Sequence, residues 1–440
     1  MPEKYFEAAV RAAARLGVKD VEVHYQGGSE ALTRFANNAI HQNVAELSQA
    51  LSVRLVIGQR SARASTNRLD ADGIERCVAE AVALTRAMAD DDELLGLADP
   101  ATITAVDRYD PDTANCSPET RARGVASAIR QASGFTSAGI YSTDASTEAI
   151  FNTRGVRAMH RETMARFSIT TMGGDSSGWA KASAVRCTDL DPAALAATAA
   201  SKARLSAKPR EIAAGEYTVI LEPAAVLDFI GQIMSAFSAT AIADQRSFLT
   251  GRLHEVLFNE AINITDDVFH PQQSGAPFDG EGVPRQRLEM VKNGKPMAIA
   301  QSRASARKAG VAPTGHGHEL PNDTGEAPEN IVIAGGSATI DEMIASTAKG
   351  ILVSRLWYIR EVDPYETIMT GMTRDGTFLI EDGQITAGLR NFRFNQSIIE
   401  ALCNVEMLGP SVRTSGEEMF DMVVPAMKVR GFGFTEVTRF

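Results

Sequence analysis

The sequence predicts an α+β fold: two small helix–β-meander–helix units in the N-terminal half and a larger β-rich C-terminal domain. Three observations carry this. Residues 1–98 and 118–206 each open on a helical apolar pattern, pass through alternating strands and close on a second helical pattern. A near-continuous apolar strand, "GEYTVILEP" (Gly215–Pro223), then opens a third region, 215–440. From Leu253 onward the chain is rich in Gly, Pro and strand-like runs.

Each element follows from local chemistry. Phe6, Ala9, Val10, Ala13 and Leu16 fall at helical spacing, so the first segment is an amphipathic helix. Its charges run throughout and it has no apolar h-region, which argues against a signal peptide. "VEVHYQ" (Val21–Gln26) alternates as a half-buried strand does. Asn37-Asn38 marks a turn between extended runs, because Asn tolerates positive φ. Ile74, Val78, Ala81, Val82 and Met88 make one helix face, with an Asp near its start to cap it. Residues 99–118 read as a linker. In the second unit, 118–133 has helical spacing and the strands that follow turn at 152–155 and 173–178. Asp191 caps the closing helix and Pro192 suits its first turn. "NNAIHQ" and "NTRGVRAMHR" occupy similar places in the two units, as an old duplication would leave them. In the third region, 224–241 reads as a helix, "SATIDEMIASTAKGILVSR" as a helix leading into a strand, and Asp382-Gly383 as a hairpin turn.

The chain has 440 residues, 44% hydrophobic and 22% charged, enough to bury a large core. Its formal charge is -11, which argues against nucleic-acid or anionic-membrane surfaces, since both need clustered Lys and Arg. No apolar run reaches the roughly 18 residues that a membrane-spanning helix needs. Cys77, Cys116, Cys187 and Cys403 are scattered, with no C-x-x-C pair. That pattern fits a reducing, cytoplasmic setting and small buried apolar roles.

Several segments, in order, carry a resemblance. They are "RFANNAIHQ" with "ASTNRLD", then "SSGWAKASAVRCTDLDP" leading into "YTVILEP". "GAPFDGEGVPRQRLEMVKNGK", "PTGHGHELPN", "IDEMIASTAKGILV" and "FLIEDGQI" follow. Together they resemble the TldD/PmbA family, once called modulators of DNA gyrase and now regarded as a peptidase system. The resemblance implies three regions and a cytoplasmic dimer. It further implies zinc in TldD-type members, held by an H-E-x-x-x-H helix and a cysteine near the C-terminus. TldE or PmbA-type members lack that motif and pair with TldD-type chains that trim unfolded peptides.

Zinc needs three or four converging N, S or O ligands. Aligned with the family, the H-E-x-x-x-H positions fall at Gly231, Gln232 and Ala236, and the predicted helix 224–241 has Asp228 as its one ionisable residue. No Glu stands there to activate a zinc-bound water. The segment "LGPSVRTSGEEMFDMVVPAMKV" holds no Cys, and Cys403 precedes it and reads as core. Two ligand sets are therefore missing together. No catalytic residue and no cofactor are expected in this chain, and zinc is expected in a TldD-like partner.

Other segments compete for a role. In an extended chain His316 and His318 would point the same way, a usable ligand pair with Glu319, His270 or His254 as third. The alternative is a mobile, groove-lining loop whose glycines allow close backbone approach. Thr314, Gly315, His316, Gly317 and His318 are thus candidates for a peptide cleft. "FDGEGVPRQR" adds Asp279, Glu281 and Arg285, which could bind a peptide beside a β edge or simply stabilise a turn. His254-Glu255 lacks the second His of a zincin and reads as surface. No G-x-S-x-G elbow or phosphate loop occurs.

Three functions follow. The first is a non-catalytic TldE/PmbA-like subunit that helps a TldD-like metallopeptidase hold an unfolded peptide. The second is an independent metallohydrolase using His316 and His318. The third is a homodimeric peptide-binding scaffold.

Overall fold

The computed structural model describes residues 2–438. Helix α1 (Glu3–Arg15) buries Phe6, Ala9, Ala12 and Ala13. Leu16, expected on that face, is the exposed residue that caps the helix. Strands β1 (Asp20–Ala36) and β2 (Ala39–Ile57) meet at Asn37 and Asn38, with φ of 50° and 60°. Two successive left-handed residues are what a tight two-residue hairpin requires. Strand β3 (Arg60–Thr66) and helix α2 (Ala71–Ala87) complete the first unit, and Asp70 accepts the Gly73 amide at 2.7 Å as the α2 cap. Met88 lies beyond α2 and is exposed. Thr85 is buried on the helix face instead, its hydroxyl satisfied by Ala81 O at 2.7 Å.

The segment after residue 98 is an ordered strap. It contains the short helix α3 (Pro111–Ala114), and Arg108 donates to the carbonyls of Gly275 and Val268. Helix α4 (Pro118–Gln131), strands β4 (Thr136–Asn152), β5 (Arg157–Met172) and β6 (Ser177–Ala184), and helix α5 (Pro192–Leu205) follow. Asp191 caps α5 by accepting the Ala194 amide at 3.0 Å, with Pro192 in its first turn.

The two predicted units share a single sheet. Its order is β3-β2-β1-β4-β5-β6, so it reads alike from either end, with β1 and β4 antiparallel at its centre. Helices cover one face. Val21, Val23, Leu51, Val53 and Leu55 pack on Phe6, Ile74, Val78 and Val82. Phe35, Tyr141 and Phe167 pack on Val125, Ala128, Ala196 and Ala199. Each large side chain fully buried this way contributes about 1.5–3 kcal/mol. The other face of β1 was expected to meet solvent, yet Glu22 and His24 on it are buried.

The C-terminal region builds two more sheets. Strand β7 (Gly215–Leu221) lies between the parallel strand Lys349–Asp363 and the antiparallel strand Met427–Val437. Strand β8 (Ile264–Asp266) pairs with Ile331–Ile333 in a smaller sheet. Phe229, Phe394 and Phe432 meet edge to face or tilted in the core that the two sheets share. The predicted hairpin turns at Asp382 and Gly383, with φ of 48° and 76°.

One predicted helix is broken. Residues 224–241 form α6 (Pro223–Ile230), a 3-10 stretch Gly231–Ala236 and a short helix α7 (Ala239–Ala243), which Ser238 caps. The cysteines also differ from expectation. Cys77 is buried, Cys116 and Cys187 are half-buried, and Cys403 is exposed, its Sγ 3.1 Å from Leu257 O. Among the described residues no helix is long and apolar enough to cross a membrane.

Candidate peptide cleft

A cleft of ≈ 360 Å³ lies where the 3-10 stretch after α6 faces the loop that begins at His318. Gln232, Ser235, Ala236, Ser238, Arg246, His318, Glu326 and Glu361 line it. Glu326 is anchored, because its carboxylate accepts from Ser238 Oγ (2.7 Å), Thr240 N (2.7 Å), Ser302 N (3.0 Å) and Ser305 Oγ (2.8 Å). Burial would raise its pKa, but these donors outweigh burial and lower it. Glu326 is therefore a fixed, charged wall rather than a spare base.

Of the three positions aligned above with the zinc motif, Gln232 and Ala236 line this cleft and Gly231 is buried behind it. A Cβ added at Gly231 would lie 2.9 Å from both Met419 Cγ and Met422 Cε, so any side chain there requires these methionines to shift. Gln232 donates to Asp228 O at 3.0 Å, and Ala236 brings no donor. Asp228 points the other way. Its buried carboxylate accepts the amides of Glu417, Glu418 and Met419 at 3.0–3.2 Å and so holds the turn that delivers Met419. Burial raises the Asp228 pKa to about 6 against the pull of those amides. Among the described residues no three His, Cys, Asp or Glu side chains converge to hold a metal ion. The residues at these positions do not fit zinc.

The other candidates form a buried seam rather than a mobile rim. Gly315 has φ +74°, and a Cβ there would lie 2.2 Å from Pro284 O, so the two loops touch backbone to backbone. Asp279 ties them by accepting from the amides of Gly317 (2.7 Å), Glu281 (2.9 Å) and Val283 (2.9 Å). Burial raises its pKa against those amides. Glu281 accepts the Arg303 amide at 3.0 Å, and burial, with Asp279 beside it, raises its pKa to about 7. Arg285 is half-buried and pairs with Glu329.

His316 and His318 sit in different surroundings. His316 is buried, with Nδ1 2.9 Å from Thr314 Oγ1 and Nε2 3.1 Å from Asp266 Oδ1. His318 is half-buried and is the one candidate of the two loops that lines the cleft. Of the proposed third ligands, Glu319 instead crosses to the N-terminal sheet, 2.6 Å from Arg63 Nη1 and 2.9 Å from Ser52 Oγ. His254 is exposed beside Glu255, which lies 3.9 Å from Arg252, and His270 Nδ1 accepts the Gln272 amide at 3.3 Å.

The seam continues beneath Glu319. Glu22 lies 2.8 Å from Arg63 Nη2, 3.6 Å from His24 Nε2 and 3.8 Å from Arg54 Nη1. Sequence reasoning missed this cluster, although alternation in "VEVHY" places Glu22 and His24 on one face. It also missed Glu326, Ser238 and Glu361, whose separation along the chain leaves no local spacing to read.

Comparison with known proteins bears on this geometry. Residues 21–85 match the PmbA/TldA metallopeptidase domain 1, residues 90–207 the PmbA/TldA metallopeptidase central domain, and residues 214–436 the PmbA/TldA metallopeptidase C-terminal domain. A metalloprotease of Methanothermobacter thermautotrophicus is 26% identical over 209 residues, covering 45% of this chain and 44% of that protein. Metalloprotease PmbA of Escherichia coli O157:H7 is 24% identical over 230 residues, covering 51% and 48%. The chain thus spans about half the length of the curated relatives it matches. TldE from Thermococcus kodakarensis superposes with a TM-score of 0.88 at 18% identity, covering 98% of this chain and 100% of that one, a likeness of fold. With all three domains matched in order along nearly its whole length, the chain belongs to the PmbA/TldD metallopeptidase family.

Proposed function

We propose that this chain is a non-catalytic, TldE/PmbA-like subunit that joins a zinc-bearing TldD-type metallopeptidase and helps it hold unfolded peptides. The observation that carries the reading is at Gly231, Gln232 and Ala236, where the aligned motif would need His and Glu and the chain has neither, with Met419 and Met422 packed against Gly231. The cleft keeps what a peptide holder uses: hydroxyls at Ser235 and Ser238, an imidazole at His318 and opposite charges at Arg246 and Glu361. An independent metal site at His316 and His318 has less support, since both nitrogens of His316 already have an oxygen within 3.1 Å. Peptide trimming then belongs to the partner, and this chain supplies binding surface in the cytoplasm.

The test is reconstitution. Hydrolysis of an unfolded peptide is measured with this chain alone, with a TldD-type chain alone and with the two mixed. The mixture is expected to cleave at least tenfold faster than either chain, and His318→Ala in this chain to raise KM more than it lowers kcat. A mixture no faster than the TldD-type chain alone would rule the reading out.

A further inference from the structure

The N-terminal sheet leaves one edge open. Along β2, Leu51–Ile57 pairs with β3, but residues 39–50 pair with β1 alone. The matching part of β5 is covered by the strap: Thr163 N donates to Arg108 O at 2.9 Å, and Asp110 N to Thr163 Oγ1 at 3.0 Å. Among the described residues no such cover lies on residues 39–50 of β2. Its open stretch, "AIHQNVAELSQA", has no Pro, Lys or Arg, the residues that commonly blunt an edge. Leu47 is exposed there.

The sheet face beside this edge selects the occupant. Glu30 on β1 stands directly opposite Glu46 on β2 and Asp144 on β4. Like charges in directly opposed positions disfavour the sheet unless something offsets them. Arg166 lies 2.6 Å from Asp144, whereas among the described residues no Lys or Arg forms an ion pair with Glu30 or Glu46. The three acids and Glu148 line a groove of ≈ 490 Å³ whose lining contains no basic residue. Arg34, near the hairpin turn, is bonded to Gln42 and lies outside that lining. A second copy of this chain, with a net charge of -11, would bring its own Glu46 and Glu30 to the edge.

We infer that the open edge of β2 takes an extended cationic peptide as an added strand, with a Lys or Arg side chain set opposite Glu46 and extending toward Glu30 on the next strand. The acids form a row across the strands, so the peptide residue opposite Glu46 meets it; side chains on one face repeat every two residues, so a peptide with alternating basic positions places one there while backbone pairing holds the segment. The inference rests on the peptide-holding role proposed above and specifies its substrate class.

The test is fluorescence anisotropy on the full chain with two labelled peptides as long as the open edge, one of alternating Lys and Thr, the other of alternating Glu and Thr. The Lys peptide is expected to bind and the Glu peptide not to bind. Affinity for the Lys peptide should fall at least tenfold in Glu30→Gln/Glu46→Gln, weaken with added salt and stay unchanged in Glu255→Gln, an exposed acid outside both the sheet and the cleft. Circular dichroism of the double variant checks that the sheet is intact. Equal binding of both peptides overturns the inference, as does Lys-peptide binding indifferent to the double substitution. Binding lost only in His318→Ala also overturns it while leaving the peptide-holding role standing. No binding of either peptide, alone or with a TldD-type chain present, removes both.

Discussion

Glu22→Ala is expected to destabilise the protein by about 3–5 kcal/mol, because it strands Arg54 and Arg63 in the seam between the N-terminal sheet and the C-terminal loops. Removing one partner of a buried ion pair costs more than the pair contributes, since the remaining charge cannot regain water. The same residue predicts an acid limb. Burial alone would raise the Glu22 pKa, but His24, Arg54 and Arg63 outweigh it and lower it from 4.5 to about 2. A carboxylate with a depressed folded pKa contributes stability above its unfolded pKa, and that stability is lost as pH falls. The shift corresponds to about 3 kcal/mol, lost between pH 4.5 and pH 2. Urea unfolding across that range reads it directly. A Glu22→Ala variant that matches the parent at pH 7 would show that the seam does not hold the two regions together.

Glu281→Gln is expected to act in the opposite direction. Burial and Asp279 raise the Glu281 pKa from 4.5 to about 7. The folded state therefore binds this proton more tightly than the unfolded chain does. Stability is full below pH 4.5 and falls as pH rises through about 7, by about 3 kcal/mol in all. Gln resembles the protonated acid and keeps an oxygen for the Arg303 amide. The variant should match the parent near pH 4 and be about 2–3 kcal/mol more stable at pH 8. Identical unfolding midpoints at pH 8 would refute this placement of Glu281. Of these two acids, one favours folding above pH 4.5 and the other below it, so their joint contribution peaks near that value.

What the sequence revealed was local chemistry. Asn37-Asn38 and Asp382-Gly383 predict hairpins because the backbone there must enter the left-handed region, and it does. Asp70 and Asp191 predict helix starts because a carboxylate can reach an amide three residues on. The α+β class follows from such signals together with periodicity. What stayed hidden depends on residues far apart in sequence. The helix predicted through Gly231 gives way to a tighter turn at a position packed against Met419 and Met422, which no window around residue 231 contains. The alternating face of β1 looked like a solvent face, yet Arg63 and Glu319, from distant segments, bury it. The two histidines of "GHGHE" looked like a pair, but the bonds of His316 to Thr314 and its approach to Asp266 draw it into the seam and leave His318 at the cleft.

The central claim is that this chain brings no zinc of its own to the peptidase. Its most direct test is metal analysis of the isolated full chain, purified without chelator and assayed at once for hydrolysis of an unfolded peptide. The account predicts zinc far below one ion per chain and no hydrolysis until a TldD-type chain is added. One zinc per chain together with hydrolysis by the isolated protein would contradict it.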